Sequence, residues 1–383
     1  MSVKAVVESE NLAIQPESEV KTCRFVLPVI FTVTEAVSFK QSFQELCQTH
    51  TSLTRAILDF RHTAFMDSSG IGALVSAKKF SQKQRIELVL QNVSDQVSMV
   101  LSLADLDRLF TFEQSSPAEI EAAAASEALV NLLAPSTGEP ASKGSASSPA
   151  KKLPIVKALP RPDEKRTIRV VSSRTPDPFI THPSVRCWPK RGMDIVGSLI
   201  GLTIVGVLFI PIAIAIKLDN PGPIFFGQIR CSRMGRRFKM WKFRSMVADA
   251  EEKKHLVSNE ASGAIFKSAS DPRITRVGYF LRKTSLDEVP QFWNVLKGDM
   301  SLVGTRPPTP DEVERYEIPQ WQRLDVKPGM TGEWQVNGRS SIKDFEDIVR
   351  LDLKYQENWS LAYDIRLILK TVLMLFNKKS GAM

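Results

Sequence analysis

Apolar residues come in short continuous runs over the first 112 positions, and longer stretches with helical spacing lie between and after them. Runs that begin at Cys23, Ala56 and Ile86 are bounded by polar residues, which favours buried strands. Alternation of strands with helices predicts an α/β sheet. The stretches with helical spacing lie at about 35–48, 68–84 and 94–103.

The turn before the second helical stretch reads F-M-D-S-S-G-I-G, from Phe65 to Gly72. Asp67 or Ser68 can cap that helix, and the glycines permit a tight turn. A phosphate on Ser68 would lie at a helix N-terminus, where amide groups and the helix dipole favour anions. The plainer interpretation is a strand-to-helix turn.

The phrase D-S-S-G-I-G-A-L, in this strand-to-helix setting, resembles the STAS domain of anti-sigma-factor antagonists. The resemblance covers roughly residues 20–112 and implies a regulatory domain over residues 1–113. In some members of that family the serine at the position of Ser68 is phosphorylated, so the resemblance makes Ser68 a candidate phosphorylation site, with a kinase or another protein as a candidate partner of this domain.

Composition changes over residues 114–182, where Ala, Ser, Pro, Gly and Lys dominate. Such a segment buries too little apolar surface to fold, so it predicts a flexible, disordered linker. We expect a linker of this length to leave the domains before and after it mechanically independent, so a change at Ser68 should act through recruitment.

The segment Ile195–Ile216 contains no charged residue, which predicts a membrane location. Its length permits a span, but Pro211 interrupts the helical pattern and basic residues flank both ends. Because basic flanks favour the cytoplasmic side, the pattern predicts a re-entrant hairpin over about 193–218, bent at Pro211. A kinked span is the alternative.

Charge and cysteine content narrow the classes of function. Residues 1–182 contain 20 basic and 20 acidic residues, whereas residues 183–383 contain 31 and 22 and so carry the whole net charge of +9. The second part should therefore face phosphates, an acidic membrane surface or nucleic acid. Scattered cysteines and histidines predict no disulfide framework and no zinc site, and the polar N-terminus predicts no signal peptide.

Two acidic residues, Asp287 and Glu288, stand side by side in the phrase T-S-L-D-E-V-P-Q. Ser285 and Glu288 have the S-x-x-E spacing of a helix capping box, which is one interpretation. The other is chemistry, because a carboxylate near phosphate-binding groups suits a nucleophile or a metal ligand.

Three arginines lie near the acid pair in the sequence. Arg282 shortly precedes the acids, whereas Arg306 and Arg339 lie in loop-like phrases with glycine or proline. Arginine forks bind phosphate oxygens in bidentate geometry. The chain has no P-loop, no H-R-D and no G-x-G-x-x-G after a strand, so common nucleotide folds are excluded. The apolar segment instead points to a lipid phosphate.

From about Lys190 onward, the chain resembles the bacterial sugar transferases, the monotopic phosphoglycosyl transferases. The phrases that carry the resemblance include K-R-G-M-D-I-V-G-S, L-R-K-T-S-L-D-E-V-P-Q-F-W-N and K-P-G-M-T-G-E-W-Q-V-N-G-R. Thr305 departs from the family pattern, which usually has proline before Arg-Pro, and Ile210 departs from members with serine before the proline at 211.

The resemblance implies transfer of a sugar 1-phosphate from a UDP-sugar to undecaprenyl phosphate, with release of UMP through an aspartyl phosphosugar. Asp287 and Glu288 would be catalytic and would bind Mg²⁺, while Arg282, Arg306 and Arg339 would bind substrate phosphates. The enzyme would start exopolysaccharide synthesis at the cytoplasmic face of the inner (plasma) membrane, and a homodimer is a further expectation.

Two other classes of protein compete with this interpretation. A membrane-tethered STAS signalling or scaffold protein would not need the acid pair or the arginines. The apolar segment and the absence of a nucleic-acid-binding motif argue against a basic nucleic-acid-binding protein, so we expect no nucleic-acid partner. The predicted fold is therefore α/β: a STAS-like domain, a linker, then residues 183–383 with a membrane hairpin, a small α/β catalytic domain and interfacial amphipathic helices.

Overall fold

The computed structural model describes residues 4–7, 22–114, 181–257, 262–265, 271–338, 342 and 344–376. The predicted linker over residues 114–182 lies almost wholly outside these ranges, and so does Arg339. The four cysteines form no disulfide bond within the described residues, and three of them are buried.

The N-terminal domain is a five-stranded sheet in the order β1-β2-β4-β6-β7, in which only β1 runs antiparallel to its neighbour. Its three apolar runs form the central strands β2, β4 and β6, as the sequence predicts. The helices also match the predicted stretches, and they cover the sheet. The elements are β1 Lys4–Val7, β2 Thr22–Val26, β3 Ile30–Phe31, α1 Val33–Thr49, β4 Arg55–Asp59, β5 Phe65–Met66, α2 Ser68–Gln84, β6 Glu87–Gln91, α3 Asp95–Leu103 and β7 Thr111–Glu113.

Helix α2 begins with a side-chain cap that the sequence left open between two residues. Asp67 has the extended backbone of a capping residue, and its Oδ1 accepts a hydrogen bond of 2.9 Å from Gly70 N. Ser68 is the first helical residue and is fully buried. The cap therefore frees the Ser68 hydroxyl for a partner outside the N-terminal domain.

The C-terminal domain packs short helices and two small sheets against one long helix. Strands β8 and β9 form an antiparallel hairpin, and β10 pairs with β11 in parallel. The elements are α4 Pro183–Arg186, α5 Trp188–Asp219, β8 Phe225–Cys231, β9 Arg237–Phe243, α6 Arg276–Lys283, α7 Phe292–Lys297, β10 Ser301–Val303, α8 Pro310–Val313, β11 Gly329–Thr331, α9 Glu333–Gly338, α10 Phe345–Glu357 and α11 Leu361–Phe376, with 3-10 helices at Arg233–Gly235, Glu252–Leu256, Leu286–Gln291 and Ile318–Leu324.

Helix α5 runs through Pro211 for 32 residues, so the bend predicted at Pro211 does not break the helix into two. A proline removes one helical hydrogen bond, but the flanking apolar residues keep their own. Among the described residues, α5 is the one helix long and apolar enough to cross a membrane, and only 22% of its most apolar part is buried.

Both ends of α5 are attached to the C-terminal domain. Near the N-terminal end, the buried Lys190 Nζ lies 2.5 Å from Asp364 Oδ2 of α11 and 3.0 Å from Val303 O of β10. At the C-terminal end, Asp219 Oδ2 accepts a hydrogen bond of 3.0 Å from Val277 N of α6. The helix therefore lies along one domain and exposes a single apolar stripe.

The N-terminal domain packs directly against the C-terminal domain. A Cβ at position 72 would lie 2.6 Å from the Trp321 ring, so the indole rests on the bare backbone of α2 at Gly72. Buried apolar side chains of both domains form one continuous cluster. This contact contradicts the expectation of mechanically independent domains, because the small residues that start α2 allow a close approach that composition does not reveal.

Candidate active site

The acid pair lies on a short 3-10 helix, Leu286–Gln291, that connects α6 to α7. Helix α6 ends at Lys283, and Ser285 then adopts the left-handed conformation with φ of 56°, which turns the chain into the 3-10 helix. Helix α6 packs closely against the segment that follows β9, since a Cβ at Gly278 would collide with the carbonyl oxygen of Ser245. The left-handed conformation of Ser285 and the close backbone approach at Gly278 thus fix the position of the acid pair.

The capping-box interpretation of this stretch is wrong. Ser285 makes no side-chain capping hydrogen bond. Glu288 instead reaches across to β9, where its Oε1 accepts a hydrogen bond of 2.9 Å from Lys242 Nζ. Each side chain of this ion pair is about a quarter exposed. Glu288 is therefore tied to a cation on the β8–β9 hairpin.

Asp287 is buried, with 6% of its surface exposed, next to a positively charged side chain. Burial lowers the pKa of Arg282, while the negative charges of Asp287 and Asp271 oppose that change. Arg282 Nε donates to Ser245 Oγ at 3.0 Å, and its terminal nitrogens make no hydrogen bond to the described residues. Arg282 thus retains donors that a substrate phosphate near Asp287 could accept.

Arg306, the second predicted phosphate-binding arginine, is held by a carboxylate of its own domain. Its two terminal nitrogens donate to Glu312 at 2.8 and 3.1 Å. Burial would raise the pKa of Glu312, but the Arg306 charge overcomes burial and holds that pKa at about 2. A phosphate would therefore have to displace Glu312 or share Arg306 with it.

Sequence reasoning missed Arg230 and Lys242 as site residues and counted them only as flanking charges. Arg230 NH1 lies 4.0 Å from Glu312 Oε2. Burial lowers the pKa of Arg230 to about 10, the charge of Arg306 adds to that effect, and Glu288 opposes it. Arg230 and Lys242 lie on the same face of the antiparallel hairpin, so a period-two reading of its two basic strands could have found them.

The described residues contain no group of three or more acidic, histidine or cysteine side chains that could enclose a metal ion. Asp271 is occupied by Arg273, which donates to it at 2.7 and 2.8 Å. Mg²⁺ in phosphate-transfer sites is typically held by one or two carboxylates together with substrate phosphates and water. The pair Asp287 and Glu288 fits that partial donor set.

Comparison with known proteins places the chain in a family. The family model described as bacterial sugar transferase matches residues 185–378, and the model of the STAS domain matches residues 18–118. Galactosyl transferase CpsE of Streptococcus agalactiae is 54% identical over 185 residues, which are 48% of this chain and 41% of that protein. Undecaprenyl-phosphate galactose phosphotransferase of Salmonella typhimurium is 45% identical over 199 residues, which are 50% of this chain and 41% of that protein.

Exopolysaccharide production protein ExoY of Rhizobium meliloti is 36% identical over 189 residues, which are 48% of this chain and 83% of that protein. The chain spans about two fifths of the length of the first two relatives. The transferase match alone covers just over half of the 383 residues and includes the acid pair, Arg282 and Arg306. The chain therefore belongs to the bacterial sugar transferase family and carries a STAS domain on the N-terminal side of its transferase domain.

Proposed function

We propose that this protein transfers a sugar 1-phosphate from a UDP-sugar to undecaprenyl phosphate and releases UMP. The observation that carries the proposal is the buried Asp287, which lies beside Arg282 on a domain whose long helix exposes an apolar stripe. The names of the relatives agree with a sugar, a phosphate and a lipid carrier. This arrangement suits one soluble and one lipid substrate that use the same carboxylate in turn.

In the first half-reaction, an Asp287 carboxylate oxygen forms a bond to the β-phosphorus of the UDP-sugar. The bond from that phosphorus to the bridging oxygen breaks, and UMP leaves with the oxygen. In the second, a phosphate oxygen of undecaprenyl phosphate attacks the same phosphorus and releases the Asp287 carboxylate. Division of the transfer into two steps lets each substrate bind separately.

The cations around the pair would stabilise charge that develops on the transferring phosphoryl group. The terminal nitrogens of Arg282, next to Asp287, make no hydrogen bond to the described part of the chain, and Lys242 holds Glu288 at the same site. Preorganised donors of this kind are commonly the largest single contribution to such catalysis. Mg²⁺ held by Asp287 and Glu288 would neutralise pyrophosphate oxygens. Arg306 and Arg339 are proposed to bind the remaining phosphate oxygens.

Attachment of α5 at both ends supports a location on one face of the membrane. A helix whose two ends, at Lys190 and Asp219, are held by the same domain fits a helix that lies in the leaflet nearest that domain better than one that crosses the bilayer. Exposed aromatic and aliphatic side chains also lie on the helices that contact α5, which favours interfacial binding. They include Tyr279, Phe280 and Trp293. With basic flanks on both sides, we place the protein on the cytoplasmic face of the plasma membrane.

The test uses the purified full-length protein in detergent, with undecaprenyl phosphate and a panel of UDP-sugars, and measures UMP release. We expect turnover with at least one sugar and a loss of at least about 10³-fold in Asp287→Asn. The matched control is Asp311→Asn, which removes an exposed carboxylate from the same domain and should keep wild-type turnover.

A labelling experiment separates the covalent mechanism from direct transfer. UDP-sugar labelled in the β-phosphate, supplied without lipid, should label the wild-type protein and Asp311→Asn but leave Asp287→Asn unlabelled. Substantial turnover by a folded, monodisperse Asp287→Asn protein would overturn the role of Asp287. Turnover without any protein label would overturn the aspartyl intermediate and keep the overall reaction.

A further inference from the structure

The contact between the two domains is centred on Ser68. Its Oγ lies 2.5 Å from Asp325 Oδ1 and 2.6 Å from Trp321 O, and its backbone N donates to Asp325 Oδ1 at 3.1 Å. Ser68 is fully buried, so this hydroxyl is enclosed by the C-terminal domain. A buried polar contact of this kind is strongly destabilised when one partner changes charge.

One hydroxyl hydrogen cannot serve two acceptors at once. If Ser68 Oγ donates to Trp321 O, its short contact with Asp325 is satisfied when that carboxyl carries a proton. Burial raises the pKa of the half-buried Asp325, and nearby Asp67 is a second half-buried acid whose pKa burial raises to about 7. The contact thus already contains two carboxyl groups at close range, and a negative charge at position 68 would lie next to both.

The interface extends beyond this contact. Trp321 is 6% exposed and rests on Gly72, and Lys79 Nζ donates to Glu314 O at 3.0 Å. The partner of α2 is therefore a defined surface of the C-terminal domain, formed by the 3-10 helix Ile318–Leu324 and Asp325. We call residues 321–325 the docking segment.

The docking segment also contacts the loop that carries Arg306. Thr305 Oγ1 donates to Arg323 O at 3.1 Å, and Thr305 directly precedes Arg306. Proline, which the family pattern has at this position, could not make this hydrogen bond. The neighbouring backbones are in close contact, since a Cβ on Gly304 would lie 2.2 Å from Lys327 O. Displacement of the docking segment would therefore be transmitted to Arg306.

We propose that Ser68 and Asp325 form a charge-gated dock: a negative charge at position 68 separates the STAS domain from the docking segment and, through Thr305, loosens Arg306. The docked STAS domain thus holds the loop that carries Arg306 in place. Separation of the STAS domain from the docking segment rests on the domain contact alone. The effect on Arg306 also rests on the proposed function, since it assigns Arg306 to substrate phosphate.

The dock is tested by hydrogen exchange of the amides in residues 68–74 and 321–325 of the full-length protein in detergent. Ser68→Asp should raise exchange in both segments at least about tenfold, because two adjacent carboxylates repel each other in a buried contact. Ser68→Asp combined with Asp325→Asn should restore protection, because an amide can donate to the introduced carboxylate. Ser98→Asp, which adds the same charge at an exposed position of α3, is the control and should change neither segment.

Protection that is unchanged in Ser68→Asp would overturn the dock, and so would a double variant as unprotected as the single one. The link to Arg306 is tested by steady-state kinetics, in which Ser68→Asp should raise the KM for UDP-sugar several-fold with little change in kcat. Equal KM values in the wild type and Ser68→Asp would overturn that link. If the wild type turned over no UDP-sugar, the proposed function would fail, and the exchange result would still decide the dock.

Discussion

Lys242 and Glu288 illustrate what single residues contribute at the active site. Their ion pair joins a strand to the 3-10 helix over 46 positions of sequence, and each side chain is about a quarter exposed. Partly exposed pairs contribute only about 0–1 kcal/mol to folding. The value of this pair therefore lies in how it positions the carboxylate, which stability measurements would not detect.

We predict that Lys242→Gln lowers turnover by about 10- to 100-fold and changes the free energy of unfolding by less than about 1 kcal/mol. The change removes a positive charge next to the acid pair and leaves its backbone support intact. UMP release and urea denaturation measure the two effects. Lys239→Gln is the control, because Lys239 is exposed and on the opposite face of β9. Equal losses of activity in both variants would contradict a specific role for Lys242.

The limits of sequence reasoning are clear at this scale. Asp287 and Glu288 were found because adjacent acids are visible in any sequence. Arg230 and Lys242 were missed because their role depends on which strands pack against the 3-10 helix that carries the acid pair. Tertiary packing determines that contact, and the local sequence does not reveal it. Ser285 and Glu288 had the correct spacing for a cap, but the left-handed Ser285 changes the direction of the chain and the Lys242 charge attracts Glu288.

Helix α5 is the element on which membrane attachment depends, and its polar anchors determine how it lies on the domain. Lys190 is 4% exposed and contacts Asp364, Val303 O and Tyr355. Asp194 Oδ1 accepts hydrogen bonds from Ser301 Oγ and Leu302 N at 2.9 Å. The apolar run was predictable from composition. The polar anchors were not predictable, because a lysine before an apolar segment is also what an ordinary basic residue flanking a membrane segment looks like.

Lys190→Met should therefore destabilise the packing of α5 by about 3–5 kcal/mol, since it leaves a buried carboxylate at Asp364 without its cation. We expect faster proteolysis around residues 186–194 and loss of turnover in detergent. Lys217→Met, on the exposed face of the same helix, should leave both unchanged. Wild-type protease resistance in Lys190→Met would show that the anchor is dispensable.

At the scale of the whole molecule, the two domains share one apolar core, and two carboxyl groups lie close to their boundary. Burial raises the pKa of Asp67 to about 7, and the neighbouring charges of Asp325 and Glu35 add to it. Burial also raises the pKa of Asp325, opposed by Ser68, His182 and Arg233. Both pKa values are higher in the folded protein than in the unfolded chain, so folding takes up protons over the range between the unfolded and folded values.

The stability that Asp67 contributes is complete below about pH 4, falls as pH rises and is lost above about pH 7. We predict that the free energy of unfolding of the wild type decreases on the order of 2 kcal/mol more between pH 5 and pH 8 than that of Asp67→Asn. Asparagine keeps the oxygen that accepts from Gly70 N, so the cap should survive. Parallel pH curves for the two proteins would contradict this assignment.

The separation of 257 positions between Ser68 and Asp325 has a consequence during synthesis on the ribosome. At about 5–20 residues per second, residue 325 is made roughly 13–50 s after residue 68. Throughout that interval the N-terminal domain can fold while the start of α2, with its small residues and its hydroxyl, has no partner. A modifying enzyme or a chaperone that reaches Ser68 most readily would therefore act on the nascent chain, before the second half of the core closes over it.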